Sequence, residues 1–291
     1  MMVVGTAFFV LVNGLIFGSL IALTAVGLTL IFGVLDVPNF AQGEFATFGG
    51  LVTVFLYNRG LGLLPSAVIA IALTFVAGVL VERLVFSKFY GREEFLLLTF
   101  FASFGIVIFF EELLLAILGA DIHQVQAPSV GQIELLGVSV RYLEIGAAAI
   151  AVAMLVALYL FTRYTYYGLA MRAIADDADG AAVVGIDRQR IYTLTFGLGA
   201  ALTGVTGILY GSIFTLFPTL GIELTGFAFA IVVVGGVGSF QGTTVASLLI
   251  GIIDSFTATV FGSRYRLLAI FSFLFVVLIL RPGGLLGDSH A

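Results

Sequence analysis

The sequence predicts an all-α membrane protein: a polytopic bundle of transmembrane helices with eight or nine membrane elements, some of them short or interrupted. Three observations carry that expectation. Hydrophobic residues make up 61% of the 291 and charged residues 10%. A soluble domain carries about 25% charged residues, so this chain lacks the polar surface to cover a globule in water. The apolar residues come in runs close to the roughly 20 that a helix needs to cross a hydrocarbon core. Finally, 36 glycines suit helices that approach backbone to backbone, the packing that small residues permit in lipid.

The first run covers residues 7–34 and ends at a polar break, 36–44. Residues 1–12 lack the basic segment of a signal peptide, so this run is expected to stay as a span. The second, 45–57, has about thirteen residues, too few to cross unless its helix begins inside 39–44. The third, fourth and fifth cover 64–86, 95–119 and 142–162. After a polar interval come 191–214, a short run at 227–237, then 243–261 and 267–280. The chain reads as a single transmembrane domain, 1–291, with one polar loop at 163–190 and another at 119–141. Within the latter, Val125, the run 133–136 and the run 138–140, broken by Pro128 and Gly137, read as a small hairpin.

Orientation follows from Lys and Arg. If the 163–190 loop is cytoplasmic, Arg83, Lys88, Arg92, Arg163, Arg172, Arg188, Arg190 and Arg281 lie inside, and Arg59, Arg141, Arg264 and Arg266 outside. That bias puts the N-terminus outside and the C-terminus in the cytoplasm of a multi-pass cell-membrane protein.

Composition also excludes. There is no cysteine, hence no disulfide and no thiolate metal site. His123 and His290 are far apart in sequence, so no metal is expected. A net charge of −5, with one lysine against eleven arginines, disfavours nucleic acid. The cluster Gly235–Gly236–Val237–Gly238 lacks the Lys-Ser/Thr of a phosphate loop, and Gln241 stands where Gly-x-Gly-x-x-Gly needs its last glycine. With no HExxH and no nucleophile elbow, catalysis by this chain is not expected, and no cofactor is.

The longest polar interval, 162–190, holds the first functional candidate. Within it Arg172 to Gly185 reads as one short helix ended by Gly185, with Ala173, Ala181, Ala182 and Val184 on an apolar side and Asp176, Asp177 and Asp179 on an acidic one. A solvated loop has no need of that division, so a partner protein is expected to cover the apolar side. The second candidate is the break Pro38–Asn39–Phe40–Ala41–Gln42–Gly43–Glu44. Pro38 removes a backbone donor and Gly43 loosens the chain. Irregular backbone at membrane depth survives where protein or a wet cavity satisfies it, so Asn39, Gln42 and Glu44 are expected to line a path for a polar solute. The plain alternative is an aqueous loop between spans. A second break, 237–244, repeats Phe, Gln and Gly after a helix end, which suggests internal duplication, and interrupted segments in two halves mark transport paths. Gly236, Gly238 and Gln241 join the pathway candidates on that ground.

Five acids fall in or near spans: Glu82, Glu111, Glu112, Glu144 and Asp254. A charge at mid-bilayer costs about 2.5–3.5 kcal/mol on insertion scales, and Asp254, deepest in its run, is expected to face the interior. Glu111 and Glu112 are weighed as a cation site and as interface residues. Gly14–Gly18 and Gly207–Gly211 have the Gly-x-x-x-Gly spacing of close helix contacts.

The runs GSLIALTAVGLTLIFGVLDVPNFAQGEFATFGG from residue 18, RAIADDADGAAVVGID from 172, TFGLGAALTGVTGILYG from 195, VVVGGVGSFQGTTVASLLIG from 232 and LRPGGLLG from 280 resemble LivH-type permease subunits of branched-chain amino acid ABC importers. They follow that family's order and spacing over nearly the whole length, with Gln42 where the family usually has His. The resemblance implies a membrane subunit driven by two ABC ATPase subunits, which would supply the ATP chemistry and push on the 172–187 segment. It also implies a second related permease and an extracytoplasmic substrate-binding protein. Branched-chain amino acids are the implied solute, urea or a short amide the alternative within the family, and an ion-coupled secondary transporter the alternative outside it.

Overall fold

The first helix, α1 (Met2–Leu35), has 34 residues and no proline, and in lipid only a helix satisfies all of its own backbone groups. Asp36 ends it in the left-handed region at φ 54°, and Pro38 two residues on cannot resume it. The computed structural model describes residues 2–119, 121–125, 131–135 and 137–286; Pro128, Leu136, Gly287 and His290, named above, lie outside the described residues.

Beyond α1 come α2 (Gln42–Asn58), α3 (Leu63–Leu84), α4 (Phe95–Leu118), the strands β1 (Gln132–Leu135) and β2 (Val138–Arg141), and α5 (Tyr142–Tyr164). Next are α6 (Tyr166–Asp176), α7 (Ala178–Val183), α8 (Arg188–Ile213), α9 (Leu220–Gly235), α10 (Phe240–Val260) and α11 (Arg266–Leu280). Among the described residues seven helices are long and apolar enough to cross a membrane (α1, α3, α4, α5, α8, α10 and α11), and α9 is a shorter apolar helix. With the 17-residue α2, that gives the nine membrane elements of the upper expectation. The second run starts at Gln42, inside the break, as its length required. The short run at 227–237 is longer than expected: α9 begins at Leu220, because Glu223 and Thr225 in its first turns interrupt the apolar pattern without ending the helix.

The interior consists of α1, α2, α8, α9 and α10, and α3 packs along α8 as α10 packs along α1. α1 and α8 run in opposite directions, so α1–α3 and α8–α10 repeat one arrangement in inverted sense. The halves do not match where the two sequence breaks suggested. Residues 237–244 cover the α9–α10 turn and the start of α10, whereas the counterpart of the α1–α2 break is the α8–α9 connection, 214–219.

Glycines set the spacing of this interior. A Cβ at Gly14 or Gly18 would fall on the backbone of α10 at Ile252 and Ser247, and one at Gly207 on the backbone of Ala46 in α2. Gly14, Gly18 and Gly207 therefore make the close helix contacts their spacing predicts, and Gly211 meets the Leu216 side chain outside any helix.

The helix ends gather at two opposite ends of the bundle. One end carries α6, α7, the α3–α4 and α9–α10 turns and the C-terminal segment, where the Leu285 N–H donates to the Val234 carbonyl at 2.7 Å. The other carries β1 and β2, antiparallel with Ile133 opposite Val140. The hairpin is as expected, except that Val125 is not part of it: its N–H donates to the Gly211 carbonyl at 2.9 Å, and His123 bridges to Leu216.

Candidate functional site

The break between α1 and α2 lies deep in the bundle. Gln42 meets Gly199, about eleven residues along α8, or roughly 16 Å at 1.5 Å per residue. Residues 36–41 therefore climb back from the end of α1 before α2 starts. Three polar residues make that possible. Asn39 Nδ2 donates to Gln42 Oε1 at 2.9 Å, and the Ala41 N–H donates to Asn39 Oδ1 at 3.1 Å. Gln42 Nε2 donates to the Gly199 carbonyl at 3.1 Å and to Thr203 Oγ1 at 2.6 Å. All this occurs with Asn39 and Gln42 fully buried. Such paired amides replace the helical bonds that Pro38 interrupts. Asn39 and Gln42 are thus bonded within the protein itself: they clasp the break to α8.

α9 starts beside the start of α2. The Gly43 N–H donates to Thr225 Oγ1 at 2.8 Å, and Cβ atoms at Gly43 or Gly221 would collide with the facing helix or with the Glu44 carboxylate. From this shared level α2 runs to the hairpin end and α9 to the other. Glu44, in the first turn of α2 and 1% exposed, has no hydrogen-bond partner for either carboxylate oxygen among the described residues. Of the three polar candidates in this break, it alone has side-chain oxygens with no hydrogen bond among the described residues.

Gly236, Gly238 and Gln241 are elsewhere. Gly236 and Gly238 form the tight α9–α10 turn at φ 100° and 79°, Gln241 follows in the first turn of α10, and Gly284 lies against Gly236. Gly238 shares a cavity of about 180 Å³ with Thr29, Gly33, Met171 and Arg172. They shape the α6–α7 end of the molecule and do not meet Glu44.

The polar interval folds as two helices instead of one. Asp177 stops α6 and caps α7, its Oδ1 accepting from the N–H groups of Asp179 and Gly180 at 3.0 Å each, a bond pattern that competes with a continuous helix. Gly185 ends the unit at φ 87°, as expected. The apolar side is divided. Met171, Ile174 and Ala181 are buried with Leu35, Phe86 and Ile191 of this chain, and Ala173 packs at the margin, so Ala181 and Ala173 belong to internal packing. Val183 and Val184 stand 88% and 76% exposed, and Arg172, Asp176 and Asp177 are exposed as well.

Two further polar groupings hold the frame. Glu82, fully buried, accepts from Thr193 Oγ1 at 2.7 Å, Gln189 Nε2 at 2.8 Å and the Tyr90 hydroxyl at 3.2 Å. Burial and the Glu82 carboxylate hold the Tyr90 phenol well above its ordinary range. Asp254 faces inward as expected, and it is paired: Arg266 Nε and Nη2 reach its two oxygens at 2.6 Å each, with the guanidinium over Phe17 at 5.3 Å. Sequence reading missed Thr203, Thr225 and Gly221, whose roles show only across 150 or more residues of separation; the Gly and Thr density of α8 was the available signal. Among the described residues no group of three or more His, Cys, Asp or Glu could hold a metal.

Inverted halves, short helices starting at mid-depth and a buried acid between them define a multi-pass transport protein. Comparison makes the class specific. The family described as branched-chain amino acid transport system permease component matches residues 10–280, and the chain belongs to that family. It is similar to the high-affinity branched-chain amino acid transport system permease protein BraD of Pseudomonas aeruginosa, 31% identical over 95% of this chain and 94% of that one. It is also similar to the LivH permease of Escherichia coli K12, 29% identical over 94% of each. Among solved structures, PsaBC from Streptococcus pneumoniae in complex with Fab aligns with a TM-score of 0.52 at 11% identity, over 93% of this chain and 91% of that chain; this likeness concerns the fold alone.

Proposed function

We propose that the chain is the membrane-spanning subunit of an ATP-driven importer that carries branched-chain amino acids inward. ATP is hydrolysed by two separate ATPase subunits. A second related permease completes the channel, and an extracytoplasmic binding protein delivers the solute. The N-terminus lies outside and the C-terminus inside, which puts α6 and α7 in the cytoplasm and agrees with the positive-inside bias. The observation that carries this reading is the family match from residue 10 to residue 280. It favours amino acids over urea or amides.

The ATPase engages the tip of the α6–α7 unit. Val183 and Val184 are apolar and exposed on a unit that also carries exposed charges, the composition of an interface centre with a polar rim. Arg172, Asp176 and Asp177 supply that rim. Because the chain has no cysteine, Val183→Cys and Val184→Cys give clean crosslinking probes. Crosslinks to the ATPase are expected in a transporting complex; their complete absence there sinks the docking assignment. The transport class is tested in vesicles with the ATPases and ATP inside and the binding protein outside. Leucine uptake should require ATP and survive collapse of ion gradients. Uptake that follows an ion gradient without ATP contradicts the reading.

A further inference from the structure

Every other buried carboxylate of the membrane interior that is described above has partners: Glu82 has three donors and Asp254 has Arg266. Glu44 is as deeply enclosed and has none. An acid at this depth is costly unless something repays its desolvation. Its surroundings suit a charge that is exchanged with a visitor. Glu44 sits in the first turn of α2 and lies against Gly221 in the first turn of α9, so two positive helix ends converge on it. No side chain caps the start of α9. Gly221 leaves the room that the carboxylate fills, Gly43 lets α2 come close to the start of α9, and Glu111 on α4 adds a second negative charge to the surroundings.

We propose that the Glu44 carboxylate receives the ammonium group of the amino acid in transit, an inference that rests on the import reading above. An ammonium brings three donors and no acceptor, the complement of two unpartnered carboxylate oxygens. Backbone N–H groups at the uncapped start of α9 suit the carboxylate of the same zwitterion. In the arrangement described here α2 and α9 close over Glu44. The ammonium reaches it when the start of α9 parts from α2, a junction held by the Thr225–Gly43 bond and glycine contacts.

The test uses the complete importer in vesicles and reads leucine uptake per ATP hydrolysed. Glu44→Gln keeps the shape and removes the charge, so a fall of tenfold or more is expected, with Glu44→Asp retaining clearly more than Glu44→Gln. A Glu44→Gln importer equal to wild type overturns the proposal, since a neutral packing role tolerates that change. Should the variants fail to assemble, the wild-type complex decides: carbodiimide labelling of Glu44, mapped by mass spectrometry, should slow at least threefold when leucine and the binding protein are present. Labelling that is the same with and without leucine, zero included, overturns it. Absence of ATP-driven leucine uptake by the wild type overturns the import reading as well, and so separates the two failures.

Discussion

α8 and α4 are helices of similar length, 26 and 24 residues, with opposite surroundings. The most apolar stretch of α8 is 89% buried at a mean hydropathy of 1.4, and that of α4 is 28% buried at 2.2. In water the more apolar helix would be the inner one. In lipid the order reverses, because the hydrocarbon demands apolar surface and the interior demands close fit. Glycine content tracks burial better. Gly197, Gly199, Gly204, Gly207 and Gly211 of α8 each lie against another element, whereas a Cβ at Gly105 of α4 would meet nothing within 4 Å. α1 makes the same point from the other side: it is 83% buried at a mean hydropathy of 2.4, and Gly14, Gly18, Gly27 and Gly33 all face neighbours.

The comparison breaks most visibly at Gly207. Gly207→Val puts branched carbons onto the Ala46 backbone and should cost about 3 kcal/mol or more, read as loss of monodisperse protein in detergent. Gly105→Ala should leave the unfolding temperature unchanged or slightly higher, since alanine is the better helix former. Equal effects at the two sites would end the distinction between inner and outer helices. Gln42→Leu comes next. It removes both donors to α8 and leaves Asn39 Nδ2 unpaired, at about 2 kcal/mol; Gln42→His, which keeps a donor, should lose less in the same thermal unfolding measurement. The smallest destabilisation is expected at Gly185→Ala, where φ 87° strains any side chain, worth about 1 kcal/mol and visible as faster proteolysis of the α7–α8 turn.

Much of the frame was legible in the sequence. The long spans, the hairpin and the deep start of α2 follow from run lengths and from Pro38. Other features were not, for identifiable reasons. Glu223 and Thr225 hide the first turns of α9, because polar residues inside a membrane helix look like a loop until their partners are known. Asp177 scores as one more acid on a polar face, yet its two cap bonds break that helix in two. Asn39 and Gln42 look like pathway residues by type; only their bonds to each other and to Gly199 and Thr203 reveal a clasp. Glu44 is the reverse case, a residue that stands out because none of the described residues answers its carboxylate.

The central claim is that the solute passes where α2 and α9 begin, through the glycine-lined interior. Thr47, fully buried one turn beyond Gly43, offers a near-isosteric probe as Thr47→Cys in a chain with no other thiol. Its rate of modification by a small charged thiol reagent should rise at least tenfold when the complete importer turns over ATP with leucine and its binding protein, compared with the resting complex. A rate that stays at the resting value while leucine accumulates in the same vesicles would place the route elsewhere and contradict the account.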